Sequence, residues 1–316
     1  MAFSNLLEVV SNVDKFPYQR DISSTETIHN YTPLCHESRV IGNILPDVMA
    51  QLRIYNSAQS LPPFVIENNV TFAPWVDSVE KRTEVIKTMM DLWRKEKTFT
   101  ALAGWRNELY PVYGNSARED NLAFVIERAA SALFGISTFG VHLNAYVTEK
   151  DGSIKMWVAR RALTKPTWPG LLDNCVAGGI AYTYSTKETI VKECDEEASI
   201  PREISEKASS VGCVTYYTYT SAGLQPETQY VFDLELPSGV LPKPQDGEVD
   251  CFYLWSLDKV KKSILDNEWK PNCALVAIDF MMRHGIITAD NEPDYIDISY
   301  RLHRNLGFPT PTKCIK

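Results

Sequence analysis

The most constraining stretch of the sequence, residues 177–201, combines two glycines with a short acidic segment. In its second half, apolar residues recur at steps of three and four, which predicts a short helix with one apolar side. Glu193, Glu196 and Glu197 stand at i, i+3 and i+4, so their carboxylates share one face of that helix. Pro201 is expected to stop the helix.

Carboxylates this close need a compensating charge, since two of them about 6 Å apart repel by roughly 3 kcal/mol at an effective dielectric constant of about 20. Mg²⁺ takes oxygen ligands and helps to bind phosphates, so the spacing favours a magnesium site, with Mn²⁺ as a substitute. Gly178 and Gly179 lie just upstream and would let the backbone approach a metal or a phosphate. The alternative is an acidic helix whose charged face is simply solvated.

The stretch resembles the box of the Nudix hydrolases. That pattern is Gly, five residues, Glu, seven residues, Arg-Glu, an aliphatic residue, any residue, Glu-Glu, any residue, Gly and an aliphatic residue. When it is laid on Gly178, the later acidic positions match Glu193, Glu196 and Glu197. The remaining positions depart from the pattern: Tyr184 replaces the first Glu, Lys192 the Arg and Ser199 the last Gly.

The resemblance implies a Mg²⁺-dependent diphosphatase whose metal lies on the box helix, at one end of the sheet. It implies that Glu193 and Glu197 are metal ligands, and that Glu196 is a third ligand or the base that activates water. The Gly178 carbonyl would complete the metal shell. Lys192 would orient the carboxylates by its charge, without the two-pronged geometry of an Arg.

Further residues are candidates for the substrate site. Glu248 lies in a Gln-Asp-Gly-Glu loop, where many Nudix enzymes have another base or ligand, although a solvated turn is the alternative. Arg160, Arg161 and Lys165 could bind the diphosphate, but strand alternation prevents both arginines from facing the site. If the substrate carries an aromatic, cationic ring, aromatic side chains could bind that ring by stacking and cation–π contacts. Candidates for ring contacts are Trp105, Trp157, Trp168, Tyr216 and Tyr217, each more often core than ligand, and the polar Gln225, Glu227 and Gln229.

Longer stretches resemble one Nudix group, the fungal proteins related to thiamine pyrophosphokinase. They include residues 140–147, 164–174 and 224–230, and residues 104–114 resemble the extra N-terminal domain of that group. Its members are thought to hydrolyse thiamine diphosphate, and preferentially its oxidised or damaged forms, to the monophosphate and phosphate. The resemblance therefore implies metabolite repair, and no kinase domain is expected after the Nudix domain.

Two other functions stay open. The same chemistry could act on an oxidised nucleotide, which the sequence separates poorly from a thiamine compound. A Nudix module that binds a ligand or a partner without catalysis is the other reading, and the departures at Tyr184 and Lys192 motivate it.

Composition limits the possible cellular compartments and binding partners of the protein. The 316 residues are 44% hydrophobic and 23% charged, enough for two globular domains. A net charge of −8 argues against broad binding of nucleic acid or anionic membranes. No apolar run is long enough to span a membrane, the N-terminus lacks targeting character, and seven scattered cysteines indicate a reducing compartment. We expect a cytoplasmic protein that binds a small-molecule diphosphate; the oligomeric state stays open.

The order of the predicted elements indicates an α+β fold. The Nudix resemblance implies a mixed sheet sandwiched between helices (138–316), preceded by a smaller α/β N-terminal domain (1–137). The first 70 residues show no clear pattern. Strands are predicted within 141–147, 154–158, 211–220, 228–236 and 251–255. Helices are predicted after a capping box at Asp77–Glu80, at 122–133 after a capping box at Ser116 and Glu119, and at 257–266, 272–284 and 292–305.

Overall fold

The structure, a computed structural model, describes residues 2–18, 30–115 and 121–312 of the chain. The predicted capping box at Ser116 and Glu119 falls outside these ranges. The described residues form a four-stranded sheet, a two-stranded sheet and a seven-stranded sheet, with helices packed around them.

The N-terminal part is regular where no pattern was recognised in the sequence. Its four short strands pair in the order β2-β1-β4-β3, and they share a core with the helices α2 and α3 and with the chain that follows. These elements are α1 (Leu6–Val13), β1 (Thr32–His36), β2 (Arg39–Ile44), α2 (Pro46–Ser57), β3 (Phe64–Ile66), β4 (Val70–Phe72) and α3 (Val79–Glu96).

Helix α3 confirms the predicted helix entry but not its capping box. Ser78 is the N-cap, and its side chain accepts a hydrogen bond from the backbone N–H of Lys81. Asp77 and Glu80 therefore do not form the predicted pair, because the helix begins one residue later than that pair requires.

The predicted helix at 122–133 is wrong. Leu122–Glu127 is a strand, β6, that pairs antiparallel with β5 (Leu109–Tyr113). Arg128–Phe134 follows as a 3₁₀ helix, and Gly135 ends it with a φ of 57°. All residues of β6 except the first are buried, so its continuous apolar run fits the spacing of a helix as well as that of a buried strand.

The seven-stranded sheet confirms the predicted strands. Its main order is β11-β12-β7-β8-β13, with β10 paired to β7 and β9 paired to β8. β12 runs parallel to β7, whereas the other pairs are antiparallel, so the sheet is mixed. The strands are β7 (Thr138–Thr148), β8 (Ile154–Arg161), β9 (Leu172–Asp173), β10 (Val176–Gly179), β11 (Ser209–Thr220), β12 (Gly223–Glu235) and β13 (Val249–Ser256).

Helices cover both faces of this sheet. One core packs α4 against residues such as Val141 and Phe232, and the other packs α1, α6, α7 and α8 against residues such as Val158 and Val231. The α+β fold with a mixed sheet between helices is therefore confirmed. These helices are α4 (Thr186–Ala198), the short α5 (Arg202–Ser205), α6 (Leu257–Leu265), α7 (Pro271–Arg283) and α8 (Tyr295–Leu302).

The N-terminal part contacts the seven-stranded sheet and its helices in several places. Helix α1 joins the core that contains α7 and α8. The backbone N–H of Tyr182, in the loop before α4, donates to the carbonyl oxygen of Leu109 at 2.7 Å. The domain boundary near residue 137 stays a prediction. Within the described ranges, no helix is long and apolar enough to cross a membrane, and the six described cysteines are free.

Candidate active site

A cavity of about 620 Å³ lies beside the box helix α4, at the first residues of β7 and β12. Both the seven-stranded sheet and the N-terminal part contribute walls to it. Most of the predicted site residues line this cavity: Lys165, Trp168, Gly178, Lys192, Glu193, Glu196, Glu197, Gln225, Gln229 and Glu248, as well as Arg161, Tyr216 and Glu227. Arg160 and the ring-contact candidates Trp105, Trp157 and Tyr217 do not line it.

The box helix forms as predicted, and it begins with a capping box. Ser185 and Glu188 make a capping box in which each side chain accepts from the other's backbone N–H. Cys194 lies in the core, and burial raises the pKa of its thiol to about 12. The helix ends at Ala198, however, and not at Pro201, because the residue after Ala198 turns into the left-handed region.

Gly178 leaves room for the side chain of Glu193. A β-carbon on Gly178 would lie 2.5 Å from Cδ of Glu193, far inside van der Waals contact. Strand β10 holds Gly178 opposite Val141 of β7, so the backbone cannot easily retreat. The glycine at the start of the box therefore has a steric cause: it lets Glu193 pack against the sheet edge.

Lys192 lies between two of the box carboxylates. Its Nζ is 2.5 Å from Oε2 of Glu196 and 3.4 Å from Oε1 of Glu193. The predicted orienting role of Lys192 requires this arrangement. Because Glu196 is drawn to Lys192, its carboxylate lies on the exposed side of the helix face.

Glu197 is the buried member of the set, 8% exposed. One hydrogen bond reaches its carboxylate, from the backbone N–H of Ala177 at 3.1 Å. Burial raises the pKa of Glu197 well above its usual range, and the charges of Asp173 and Glu193 raise it further. Burial also raises the pKa of Glu193, against the opposing charge of Lys192. Both carboxylates would be stabilised in the charged form by a cation beside them.

The donor set at the box suits a hard divalent cation. Three carboxylates and the Gly178 carbonyl offer only oxygen ligands, which Mg²⁺ prefers. The three carboxylates do not all place oxygens within 4.8 Å of one another, however, and Glu196 contacts Lys192 while Glu197 accepts from Ala177. A metal site at the box therefore fits the residues present and stays a prediction.

A different cluster brings three metal-type ligands closer together. Within the described ranges, only His142, Asp173 and Cys273 place ligand atoms within 4.8 Å of one another. Cys273 Sγ donates to Asp173 at 2.7 Å, and Arg161 and Lys270 bring positive charge to the same carboxylate. The cluster is a charge-compensated polar network at the cavity wall, which His142, Arg161 and Lys270 line, so a further cation would meet repulsion there.

Glu248 and Lys165 form an ion pair at the cavity. The side chain of Glu248 is 43% exposed, while that of Lys165 is 12% exposed. Burial alone would raise the pKa of Glu248, but the hydrogen bond from Lys165 and the charges of Lys165, Arg161 and Arg106 bring it below its usual value. Glu248 thus faces a group of cations, which is not what a plain solvated turn would provide.

Arg160 is placed differently from the prediction. Its guanidinium donates to Tyr253 Oη at 3.2 Å and to the carbonyl oxygen of Gly170 at 2.7 Å. Arg161 lines the cavity instead. Alternation along β8 sends the two side chains to opposite faces, and a role for Arg160 in binding the diphosphate is not supported by this placement.

Arg161 shapes the loop that carries Trp168. Its guanidinium donates to Asp173 at 2.8 Å and to the carbonyl oxygens of Thr167 and Trp168, each at 3.0 Å. Trp168 has a φ of 54° and is 49% exposed, so its ring stands in the open part of the cavity wall. A left-handed backbone at a tryptophan is costly, and Arg161 supplies the contacts that maintain it.

One face of the sheet supplies a second polar group. Gln229 Nε2 donates to Glu227 Oε2 at 2.7 Å and to Tyr216 Oη at 3.1 Å, and Tyr216 in turn donates to Glu227. A β-carbon on Gly140 would lie 2.2 Å from Gln229 Oε1, so glycine makes room for this side chain. Glu227 lines the cavity as a carboxylate with oriented donors behind it.

Comparison with known proteins decides the family. Nudix hydrolase 20 of Arabidopsis thaliana is 35% identical over 284 residues, covering 88% of this chain and 74% of that protein. The chain belongs to the Nudix hydrolase family. Nudix hydrolase 24 of the same plant is 35% identical over 281 residues, covering 89% of this Nudix hydrolase and 74% of the relative. Both plant proteins are named chloroplastic. The chain is thus a hydrolase of diphosphate bonds.

Other comparisons add no activity. An uncharacterized protein of Saccharomyces cerevisiae is 34% identical over 322 residues, covering 97% of this Nudix hydrolase and 92% of that protein. Residues 7–138 match a family described as a domain of unknown function, DUF4743. A Deinococcus radiodurans structure matches 54% of this chain and 98% of its own at 19% identity and a TM-score of 0.41. A Caenorhabditis elegans Ap4A hydrolase matches 48% and 99% at 14% identity and a TM-score of 0.36, and neither likeness carries an argument here.

This Nudix hydrolase departs from the box pattern at three positions, and the structure explains the departure at Ser199. Ser199 has a φ of 52°, the left-handed conformation that explains the glycine of the family pattern. Its hydroxyl hydrogen-bonds Gln245 Oε1 at 2.8 Å, which ties the end of the box helix to the loop before Glu248. Tyr184, at the position of the first Glu, is 42% exposed and does not line the cavity.

The sequence did not point to the residues that the N-terminal part contributes. Arg106, Glu108, Tyr110 and Arg128 line the same cavity as the box glutamates of this Nudix hydrolase. For Arg106, Glu108 and Tyr110 the only signal was the resemblance of residues 104–114 to an N-terminal domain, which does not indicate a contact with the box, and Arg128 had no signal.

Proposed function

We propose that this Nudix hydrolase cleaves thiamine diphosphate, and preferentially its oxidised or damaged forms, to the monophosphate and phosphate with Mg²⁺ or Mn²⁺. One observation carries the proposal: a single cavity joins the box carboxylates to a sheet face with an oriented carboxylate, Glu227. A diphosphate with a cationic or hydrogen-bond-donating ring would match these two regions. The resemblance of residues 140–147, 164–174 and 224–230 to the thiamine-related group supports the same substrate.

The box end would hold the metal and the diphosphate. Glu193, Glu197 and the Gly178 carbonyl would be metal ligands, and Lys192 would keep the carboxylates in place. Bound Mg²⁺ would neutralise the non-bridging oxygens and make a bound water more acidic. Glu196 would be either a third ligand or the base that accepts a proton from the attacking water.

The loop end would support this chemistry. Glu248 is the second candidate for the base, because it lies in the same cavity and is held by Lys165. Lys165, freed from Glu248 as the substrate enters, would bind a phosphate oxygen. Charge-assisted hydrogen bonds of this kind are about twice as strong as neutral ones.

The sheet face would bind the ring. Glu227 would accept a hydrogen bond from the ring or face its positive charge, with Gln225 and Gln229 as neighbouring polar contacts. Trp168 would stack on the ring from the open side. Glu227 is partly buried, so a ligand without a matching donor or positive charge would bind less well there.

A substrate screen tests the proposal. The purified protein is incubated with Mg²⁺ and thiamine diphosphate, an oxidised thiamine diphosphate, ADP or an oxidised nucleoside diphosphate, and monophosphate is measured. We expect the highest kcat/KM with the oxidised thiamine compound. If kcat/KM were about tenfold higher or more for an oxidised nucleotide, a difference of about 1.4 kcal/mol, the oxidised nucleotide would be the substrate instead. No turnover of any diphosphate, with no Mg²⁺ binding, would indicate a non-catalytic module. A cytoplasmic location remains part of the proposal and is tested by imaging the tagged protein.

A further inference from the structure

The region of unknown function forms a wall of the active-site cavity. Its lining residues come from three separate segments: the end of α1, the chain entering β5, and the 3₁₀ helix after β6. A region that only packed against the Nudix sheet would not need to present charged side chains to the cavity. The question is which of these charges is available to a substrate.

The wall is attached close to the box. The backbone of Tyr182 donates to that of Leu109 at 2.7 Å, which joins the loop before α4 to β5. Tyr110, the next residue of β5, is 6% exposed and packs against Gly179. The position of β5 is therefore set by the same loop that leads into the box helix.

The turn that carries Arg106 is fixed on both sides. Trp105 Nε1 donates to Asn107 Oδ1 at 2.9 Å, and the guanidinium of Arg94 lies 4.5 Å from the Trp105 ring centroid. The backbone N–H of Arg106 donates to Glu127 at 2.9 Å, and Asn107 has a φ of 56°. Such a backbone is held by its surroundings, so Arg106 is presented at a defined point of the wall.

Among the described residues, Arg106 and Lys15 are the cations of this wall without a carboxylate partner. Arg128 is paired with Glu108 at 2.9 Å. On the facing side, Arg161 pairs with Asp173 and Lys165 with Glu248. No ion pair between described residues involves Arg106, which is exposed. Its charge nevertheless reaches the opposite loop, since it helps to lower the pKa of Glu248.

We propose that Arg106 binds the diphosphate group of the substrate, so that the N-terminal region completes the active site of the Nudix domain. The inference rests on the proposed function only in requiring a diphosphate ligand. A guanidinium fork matches phosphate oxygens in two places, and an unpaired arginine loses no protein contact when the substrate arrives. Arg106 is thus a substrate-binding residue supplied from outside the Nudix fold.

The test measures binding of methylenediphosphonate, which cannot be hydrolysed, by calorimetry in the presence of Mg²⁺. The variants are Arg106→Ala and Arg106→Lys, with Arg53→Ala as control, because Arg53 is exposed on α2 and does not line the cavity. We expect Arg106→Ala to weaken the affinity about tenfold or more, and Arg106→Lys to weaken it less because the charge remains. The control should bind as the wild type does.

The outcomes separate this inference from the proposed function. Equal affinity of wild type and Arg106→Ala, with binding intact in both, would overturn the role of Arg106 alone. No binding of methylenediphosphonate to the wild type would overturn the proposed function and this inference together. If Arg106→Ala lowers the thermal midpoint, Arg106→Lys decides: weakened affinity at a normal midpoint supports the role, and full affinity contradicts it.

Discussion

A β-carbon on Gly179 would lie 1.8 Å from the hydroxyl oxygen of Tyr110. The second glycine of the box region is therefore a contact with the N-terminal region, whereas the first, Gly178, admits Glu193. The two adjacent glycines thus leave space for two different side chains. The box loop and the wall opposite it are built against each other, and a change at one is expected to move the other.

Gly179→Ala should displace Tyr110 and destabilise the protein by about 1–3 kcal/mol, the usual cost of overpacking. Urea unfolding measures the change. Tyr110→Phe removes the oxygen that the new methyl group would meet, so the double variant should recover part of the loss. Gly104→Ala is the control, because nothing lies within 4 Å of its β-carbon position. Equal stability of Gly179→Ala and the wild type would contradict the contact.

Glu227→Gln should lower kcat/KM for thiamine diphosphate about tenfold while leaving a diphosphate without a cationic ring little changed. The reason is that a lost hydrogen bond or contact between charged groups is worth about 1.5–3 kcal/mol. Steady-state kinetics with both substrates measure the ratio. Glu235→Gln serves as the control, because Glu235 is exposed at the end of the same strand. An equal loss of kcat/KM with both substrates would show that Glu227 does not recognise the ring.

Local patterns predicted much of the Nudix domain. The box helix, β7, β11 and the C-terminal helix α7 carry their periodicity within one segment, so the sequence alone indicates them. The strand Leu122–Glu127 was misread because it is buried on both faces, where alternation disappears. The N-terminal sheet was missed because its strands have only three to six residues each.

The sequence predicted those parts of the candidate site whose residues are close to one another along the chain. Gly178 and the box glutamates lie within about one helix and one loop of each other, so spacing alone connects them. Arg106 reaches the cavity through the docking of β5, which no local pattern encodes. Glu227 was a candidate from the sequence, but its place in the cavity depends on the register of β12 on β7. The opposite orientations of Arg160 and Arg161 follow from alternation, but which of them faces the cavity depends on the sheet's neighbours.

His142 should make the folded protein sensitive to acid. Burial lowers its pKa to about 4 from the ordinary 6.5. Between these values the unfolded chain binds a proton that the folded protein does not, so the free energy of unfolding falls as the pH drops. The expected slope is about 1.4 kcal/mol per pH unit.

Urea unfolding of His142→Gln between pH 7 and pH 4.5 checks this slope, which should be flatter than that of the wild type. His303→Gln is the control: a hydrogen bond with Asp279 raises the pKa of His303, so its loss should not flatten the profile. An unchanged slope in His142→Gln would mean that His142 is not held neutral in the folded protein.

The central claim is that the box carboxylates serve Mg²⁺-dependent cleavage of a diphosphate, and Glu197→Gln tests it most directly. The measurement is kcat/KM for the best diphosphate of the screen at saturating Mg²⁺, beside Glu203→Gln, an exposed control. We predict a loss of about a hundredfold or more, since a bound metal supplies several kcal/mol of transition-state stabilisation. The thermal midpoint without metal should not fall, because glutamine avoids burying a charge. An unchanged rate in Glu197→Gln would contradict the account.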